Sequence, residues 1–311
     1  MVAILQGPGC GDDLHHVTGK CLPHAATGRR YLVFVRAGDE SWHRKLILED
    51  PDRNWDCCVS WYGPPADEQL AEYYCGGASK HFANKLDGFR EFWARRPLPW
   101  KYRYVILLDD DIYLRPGELS RFFDLCDAYN LYLAQPALEW FTHTTLNALV
   151  RNPACILRRV SFIEVMAPCF SAAALENLLH TFTWTRSTWG VDWAWGCLLD
   201  GHEPLYVVDA VSMEHTRTGN GRPTAFYRKL KAEGIDPGAD LRRVKGMFPK
   251  FAGSRTLPRG HVFRPDLPRG LAPVLMVLFE RLKFVVRLRK KLLRTWRSWR
   301  AGLEDARMTN D

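Results

Sequence analysis

The chain lacks an apolar run long enough to cross a bilayer. The apolar stretch at residues 271–279 (LAPVLMVLF) covers nine residues, against the ~20 that a membrane-spanning helix needs. It lacks an apolar N-terminal signal stretch. None of its nine cysteines stands in Cys-x-x-Cys spacing, which removes the common zinc-ribbon and dithiol patterns. The cysteines read as reduced thiols of a cytoplasmic protein. Cys10, Cys21, His15, His16 and His24 fit no common zinc spacing, so residues 1–29 are expected to form a loosely ordered leader. Residues 30–249 hold one compact Asp-x-His grouping, Asp200-Gly201-His202, against the several expected of a metal-dependent hydrolase or phosphodiesterase, and no internal repeat is visible. Acids are missing from residues 281–300, which hold nine Lys or Arg. The whole chain carries a net charge of +8, so the remainder is close to neutral. Positive charge confined to a tail argues against a nucleic-acid-binding body.

Over 311 residues, 47% are apolar, enough for a large buried core. Twelve Trp read mostly as core and interface. Apolar runs alternate with helical periodicity. Strands are expected at Tyr31–Arg36, Cys57–Tyr62, Tyr104–Leu108, Leu131–Ala134, Phe162–Ala167 and Leu205–Val208. Helices are expected after Ser41, over Ser79–Arg95, after Pro116-Gly117, after Ser171, from Trp189 and near Ala225–Gly234. Residues 139–160 read as irregular and 250–270 as a linker. Alternation of this kind predicts an α/β domain over residues 30–249, with a mainly parallel, Rossmann-type sheet flanked by helices. Ligands then bind beyond the carboxyl ends of the strands.

Asp109-Asp110-Asp111 closes the run Tyr104-Val105-Ile106-Leu107-Leu108. Carboxylates crowded at a strand end repel one another and resist burial. A hard cation such as Mn²⁺ or Mg²⁺ relieves both costs. Strand alternation would point Asp109 and Asp111 the same way, while the plainer alternative is a solvated turn with one Asp as helix cap. Asp39, Gln135 and His215 also fall at or past strand ends, and a late His can complete a coordination shell. Asp192, at a helix start, is a candidate base or a plain cap. Glu164, inside an apolar run, needs a partner or a task. The candidates are an acceptor hydroxyl, Arg158 or Arg159. The layout suggests cation-assisted transfer from an activated diphosphate donor.

The stretches Leu108–Ile112 (LDDDI), Gln135–Leu138 (QPAL), Phe162–Ser171 (FIEVMAPCFS), Trp189–Gly196 (WGVDWAWG) and Val207–Ala210 through His215 resemble the plant and bacterial family catalogued as domain of unknown function 707. The likeness spans about residues 30–220. That family in turn resembles GT-A fold glycosyltransferases. The resemblance implies a nucleotide-sugar donor, with Asp109, Asp111 and His215 as metal ligands and Arg36, Asp109 and Asp110 on the nucleotide-sugar. It further implies Met166-Ala167-Pro168 as the acceptor-side loop and Asp192 as base of an inverting transfer, with Glu164 as the other catalytic candidate. The loop has no glycine, and the base motif reads Gly-Val-Asp where the family carries an acidic pair.

In the tail, Leu278, Leu282, Val285, Leu288, Leu292, Trp296 and Trp299 recur at helical spacing, opposite Lys and Arg. Residues 271–300 are expected to form a basic amphipathic helix on anionic lipid, the alternative being a helix docked on the protein's own body. The expected protein is therefore a peripheral glycosyltransferase at the cytosolic membrane face, acting on a polysaccharide or lipid-linked acceptor. A metal-dependent hydrolase or a catalytically inactive sugar- or nucleotide-binding module are the competing readings.

Overall fold

The computed structural model describes residues 22–23, 27–38, 40–61, 70–76, 84–96, 99–140, 142, 144, 146–217, 225–250, 253–257, 259–283 and 285–286. The leader through residue 21, Asp39 and the tail from residue 287 lie outside the described residues. Strands are β1 Leu22–Pro23, β2 Tyr31–Ala37, β3 Trp55–Trp61, β4 Tyr73–Gly76, β5 Tyr104–Asp109, β6 Ile112–Tyr113, β7 Leu133–Leu138, β8 Cys155–Val160, β9 Cys169–Ser171, β10 Leu205–His215 and β11 Val262–Phe263. Helices are α1 His43–Leu48, α2 Lys85–Ala94, α3 Glu118–Ala128, α4 Ala172–Leu178, α5 Val191–Leu198, α6 Ala225–Ala232 and α7 Pro237–Met247.

The main sheet runs β1-β4-β3-β2-β5-β9-β7-β10-β8-β11. Strands β4, β3, β2 and β5 are parallel, as are β7 and β10. Strand β9 is antiparallel to both β5 and β7, so two reversals restore the direction. The six strands β4, β3, β2, β5, β7 and β10 therefore point the same way, and their carboxyl ends gather along one edge. Strands β2, β3 and β5 are buried along nearly their whole length. Burial on both faces is why they read as continuous apolar runs rather than as alternation. Ring contacts across the layers, such as Phe34 against Phe89 at 5.2 Å and Tyr31 against Phe123 at 4.9 Å, join the sheet to α2 and α3.

Several expectations are corrected. Phe162–Ala167 is a loop, although Phe162 and Ile163 are buried; an apolar run can fill a core without pairing as a strand. The stretch read as irregular contains β8. Its two arginines hid the pattern, because Arg158 is fully buried against Asp209, at 2.6 and 2.9 Å. Residues 250–270, expected as a linker, add β11 to the sheet and bridge Thr256 to Val160. Six described cysteines are free, but Cys75 is disulfide-bonded, so the expectation of wholly reduced thiols fails there.

Residues 271–283 are helical, and an ionic cluster ties them to the body. Glu280 reaches Arg158 at 3.0 Å and Lys283 at 2.6 Å, while Asn152 donates to Glu280 at 2.9 Å and to the Met276 carbonyl at 3.1 Å. Two cations and two carboxylates cancel here, which makes burial tolerable.

Strand β10 has a register break between Val208 and Ser212. Before the break it pairs with β8, and at its end with β6. A bulge bends and re-aims a strand, and this one carries His215 from the interior to the rim.

Candidate active site

The aspartate triplet does not continue as a strand. Strand β5 ends at Asp109, Asp110 and Asp111 make a turn, and β6 follows. Strict alternation therefore does not apply, and each carboxylate meets a different base. Asp109 Oδ1 lies 2.6 Å from Lys85 Nζ, Asp110 Oδ1 lies 2.8 Å from Arg217 Nη2, and Asp111 Oδ2 lies 3.1 Å from His215 Nε2. The turn is pinned through its main chain. The Asp110 carbonyl accepts from Trp42 N at 2.9 Å, and the Asp111 carbonyl accepts from Thr216 N at 2.9 Å and its Oγ1 at 2.8 Å.

His215 N donates to Thr142 Oγ1 at 2.7 Å. The hydrogen bond to Asp111 is the main reason that its pKa rises to about 8, against the opposing effect of burial. Near neutral pH the imidazole thus holds a proton that a metal would have to displace.

Behind the triplet stand two more carboxyls. Asp192 lies in the first turn of α5, where its Oδ1 accepts from Trp193 N at 2.9 Å and its Oδ2 from Val165 N at 3.4 Å. Burial raises its pKa to about 6, with backbone N–H groups at the helix start pulling the other way. Glu164 is held by its backbone, since its N donates to Gln135 Oε1 at 2.7 Å. Burial first, then the Asp192 charge, pushes its carboxyl to about 8. Glu164 Oε2 is buried and meets no partner among the described residues. Neither Arg158 nor Arg159 takes it: Arg158 is spent on Asp209 and Glu280.

Arg36 sits at the end of β2, in register with Asp109 on one side and Ser60 on the other, and donates to Ser60 Oγ at 2.7 Å. Met166-Ala167-Pro168 runs beside β5. The Met166 carbonyl accepts from Asp109 N and the Pro168 carbonyl from Leu107 N, both at 2.9 Å. The Met166 and Ala167 side chains are buried.

Sequence reasoning missed Lys85. Its ammonium is 5% exposed and, besides Asp109, donates to the carbonyls of Leu107, Val165 and Met166 at 3.0, 2.6 and 3.1 Å. The Asn84–Asp87 capping box fixes the turn that delivers it. The signal was present: Lys85 precedes Phe89 by four residues and Phe92 by seven, so it interrupts an apolar helical face. Lys85→Met leaves the Asp109 carboxylate and three carbonyls without their donor. Asp109 keeps substantial solvent contact, which softens the loss. The expected cost is about 2 kcal/mol in urea unfolding. A loss below about 0.5 kcal/mol would show that Lys85 is not a structural clamp.

Searches of protein-family models find no match, so the likeness to the family of unknown function is not carried further. Curated proteins give no match either. Solved structures do. A crystal structure of GalNAc-T7 with UDP, GalNAc and Mn²⁺ aligns at TM-score 0.48 and 10% identity, over 70% of this chain and 48% of that one. This chain thus spans about half the length of GalNAc-T7. The mannosyltransferase PcManGT from Pyrobaculum calidifontis, in complex with GDP-Man and Mn²⁺, aligns at TM-score 0.42 and 12% identity, over 88% and 86% of the two chains.

Whether the residues suit a cation is decided by the side chains themselves. No three His, Cys, Asp or Glu among the described residues gather into a ready-made cage. The Asp111–His215 pair offers one carboxylate and one imidazole at the open rim. Mg²⁺ and its relatives commonly bind through one or two carboxylates plus substrate phosphates, without a dedicated protein cage. The donor set fits a cation that arrives with a diphosphate, and fits a stand-alone structural metal poorly.

Proposed function

We propose that the protein is a GT-A type, Mn²⁺- or Mg²⁺-dependent glycosyltransferase that moves a sugar from a nucleotide-sugar to a glycan or lipid-linked acceptor with inversion. The observation that supports this most is the convergence on one sheet edge of the Asp109–Asp111 turn, His215 from β10 and the half-buried Asp192. Asp111 and His215 would hold the cation, with Asp109 beside them. When bound, the cation would act as a Lewis acid toward the leaving diphosphate. Arg36 and Arg217 add positive charge on the donor side, and Asp110 orients Arg217. Asp192 takes the proton from the attacking acceptor hydroxyl. An acid whose pKa lies near 6 is mostly ionised at neutral pH yet still basic enough for that work. Glu164, protonated beside it, keeps a second negative charge away from the base. The test is a thermal-shift screen of nucleotide-sugars with and without Mn²⁺. One donor should raise the melting temperature only with metal. No response to any donor with metal present would refute the reading.

We further propose that the C-terminal segment holds the enzyme on anionic lipid at the cytosolic face. No helix among the described residues is long and apolar enough to cross a membrane. The helical residues 271–283 bury Ala272 and Lys283 against the body. Leu271, Val274, Val277, Leu278, Leu282 and Val285 face outward, 44–58% exposed. An outward apolar stripe that continues in sequence into the basic segment is what an interfacial helix requires, and each basic residue near the surface adds about 1 kcal/mol on anionic lipid. Truncation after residue 286 keeps Glu280 and Lys283 in the ionic cluster, whereas truncation after 265 removes both. Full-length protein should pellet with anionic liposomes in low salt and stay in the supernatant in high salt. The 286 truncation should bind much less. Equal pelleting of the two, or pelleting that ignores anionic lipid, would sink the idea.

A further inference from the structure

Beside the carboxyl cluster stand two large aromatic side chains that the chemistry above does not use. Trp189 and Tyr227 are each 39% exposed, with ring centroids 6.2 Å apart and planes at 89°. Scattered exposed aromatics are ordinary, but this pair is held in place. Thr188 has φ +68° and Gly190 φ +93°. A positive φ is a real outlier for a β-branched residue, and such strain persists only where surrounding contacts impose it. Those contacts are present. The Ser187 hydroxyl and amide bond Asp240 at 2.7 and 3.0 Å, and Trp189 N donates to Ser187 Oγ at 3.3 Å. Gly190 packs so closely on α7 that an added Cβ would lie 3.1 Å from Val244 Cβ. The loop therefore presents the indole outward as a fixed surface.

Its position says what would lie on it. Trp189 is three residues before Asp192. Tyr227 packs edge-on against Trp189, and burial first, then the nearby charges of Asp109, Asp111 and Glu164, holds its phenol above the ordinary pKa. The pair thus borders the carboxyl cluster on the side of the proposed base. A base must face the hydroxyl it deprotonates, so the neighbouring wall faces the acceptor. Aromatic rings with a polar handle suit a ligand with an apolar face and a polar rim. A pyranose is such a ligand: its C–H face stacks, while its hydroxyls reach the carboxylates.

We infer that Trp189 and Tyr227 form the binding face for a pyranose ring of the acceptor, so that the unit receiving the new bond is itself a sugar. This rests on the transferase reading, but its test can fail separately. Saturation-transfer NMR would use methyl α- and β-glycosides of glucose, galactose, mannose, xylose and N-acetylglucosamine, each with UDP or GDP and Mn²⁺. With wild-type protein at least one glycoside should receive saturation, strongest on its C–H protons. Trp189→Ala should reduce that signal at least about fivefold, and Tyr227→Ala should reduce it in the same glycoside. Saturation of the nucleotide should be unchanged in both variants, which also shows that they are folded. If every glycoside stays silent while the nucleotide is saturated, or if both variants keep the glycoside signal, the inference is overturned. If the glycoside signal depends on Trp189 but neither nucleotide binds, the sugar face stands and the donor reading falls.

Discussion

Asp111→Asn should abolish the Mn²⁺-dependent stabilisation by donor while leaving the metal-free protein folded. The substitution keeps shape and removes a charge from a rim position, where the main chain is held by Thr216 rather than by the carboxylate. It also removes the main cause of the raised His215 pKa, so the imidazole should fall back toward its ordinary range. The pH dependence follows with a definite sign. In the wild type, His215 is protonated below about 8, and a cation must displace that proton. Apparent Mn²⁺ affinity should therefore climb about tenfold per pH unit up to that point and level off above it. Calorimetric titration of Mn²⁺ with donor across pH 6 to 9 checks both parts. Unchanged metal dependence in the variant would take Asp111 out of the ligand set.

Asp192→Asn should lower turnover by about 10² or more with donor affinity little changed, the pattern expected when a group acts only in the transition state. The carboxamide oxygen can still accept from Trp193 N, as Oδ1 does now at 2.9 Å, so the helix start should survive. Near-normal turnover would pass the role to Glu164. Steady-state kinetics of Asp192→Asn and Glu164→Gln side by side separates the two carboxyls. A product retaining the donor's anomeric configuration would count against inversion whichever one is the base.

Buried parallel strands were the easiest part to read from sequence, since β2, β3 and β5 are apolar on both faces and say so residue by residue. Among the strands that escaped, β8 and β11 lie near the sheet edge, where Arg158 and Arg159 break the pattern. The reverse error came at Phe162–Ala167, where apolar content signalled burial and was taken for a strand. In the site, Asp111 and His215 could be paired from the order of motifs. The burial of Lys85 was legible from its apolar helical face, but its partners were not, because the four oxygens come from β5 and from the 165–166 loop, a convergence made only by the tertiary fold.

One strand joins the carboxyl-bearing edge of the sheet to the helix at residues 271–283. Asp209 and His215 both lie on β10, the first gripping Arg158 and through it the Glu280 helix, the second ending at Asp111. Six residues of strand span about 20 Å. The strand works as a mast: its foot is set in the tail helix and its head carries the imidazole. On the proposed function, fixing the tail to a surface would then fix the direction in which the carboxyl edge opens, so the tail would set the angle of approach to an acceptor as well as the protein's address.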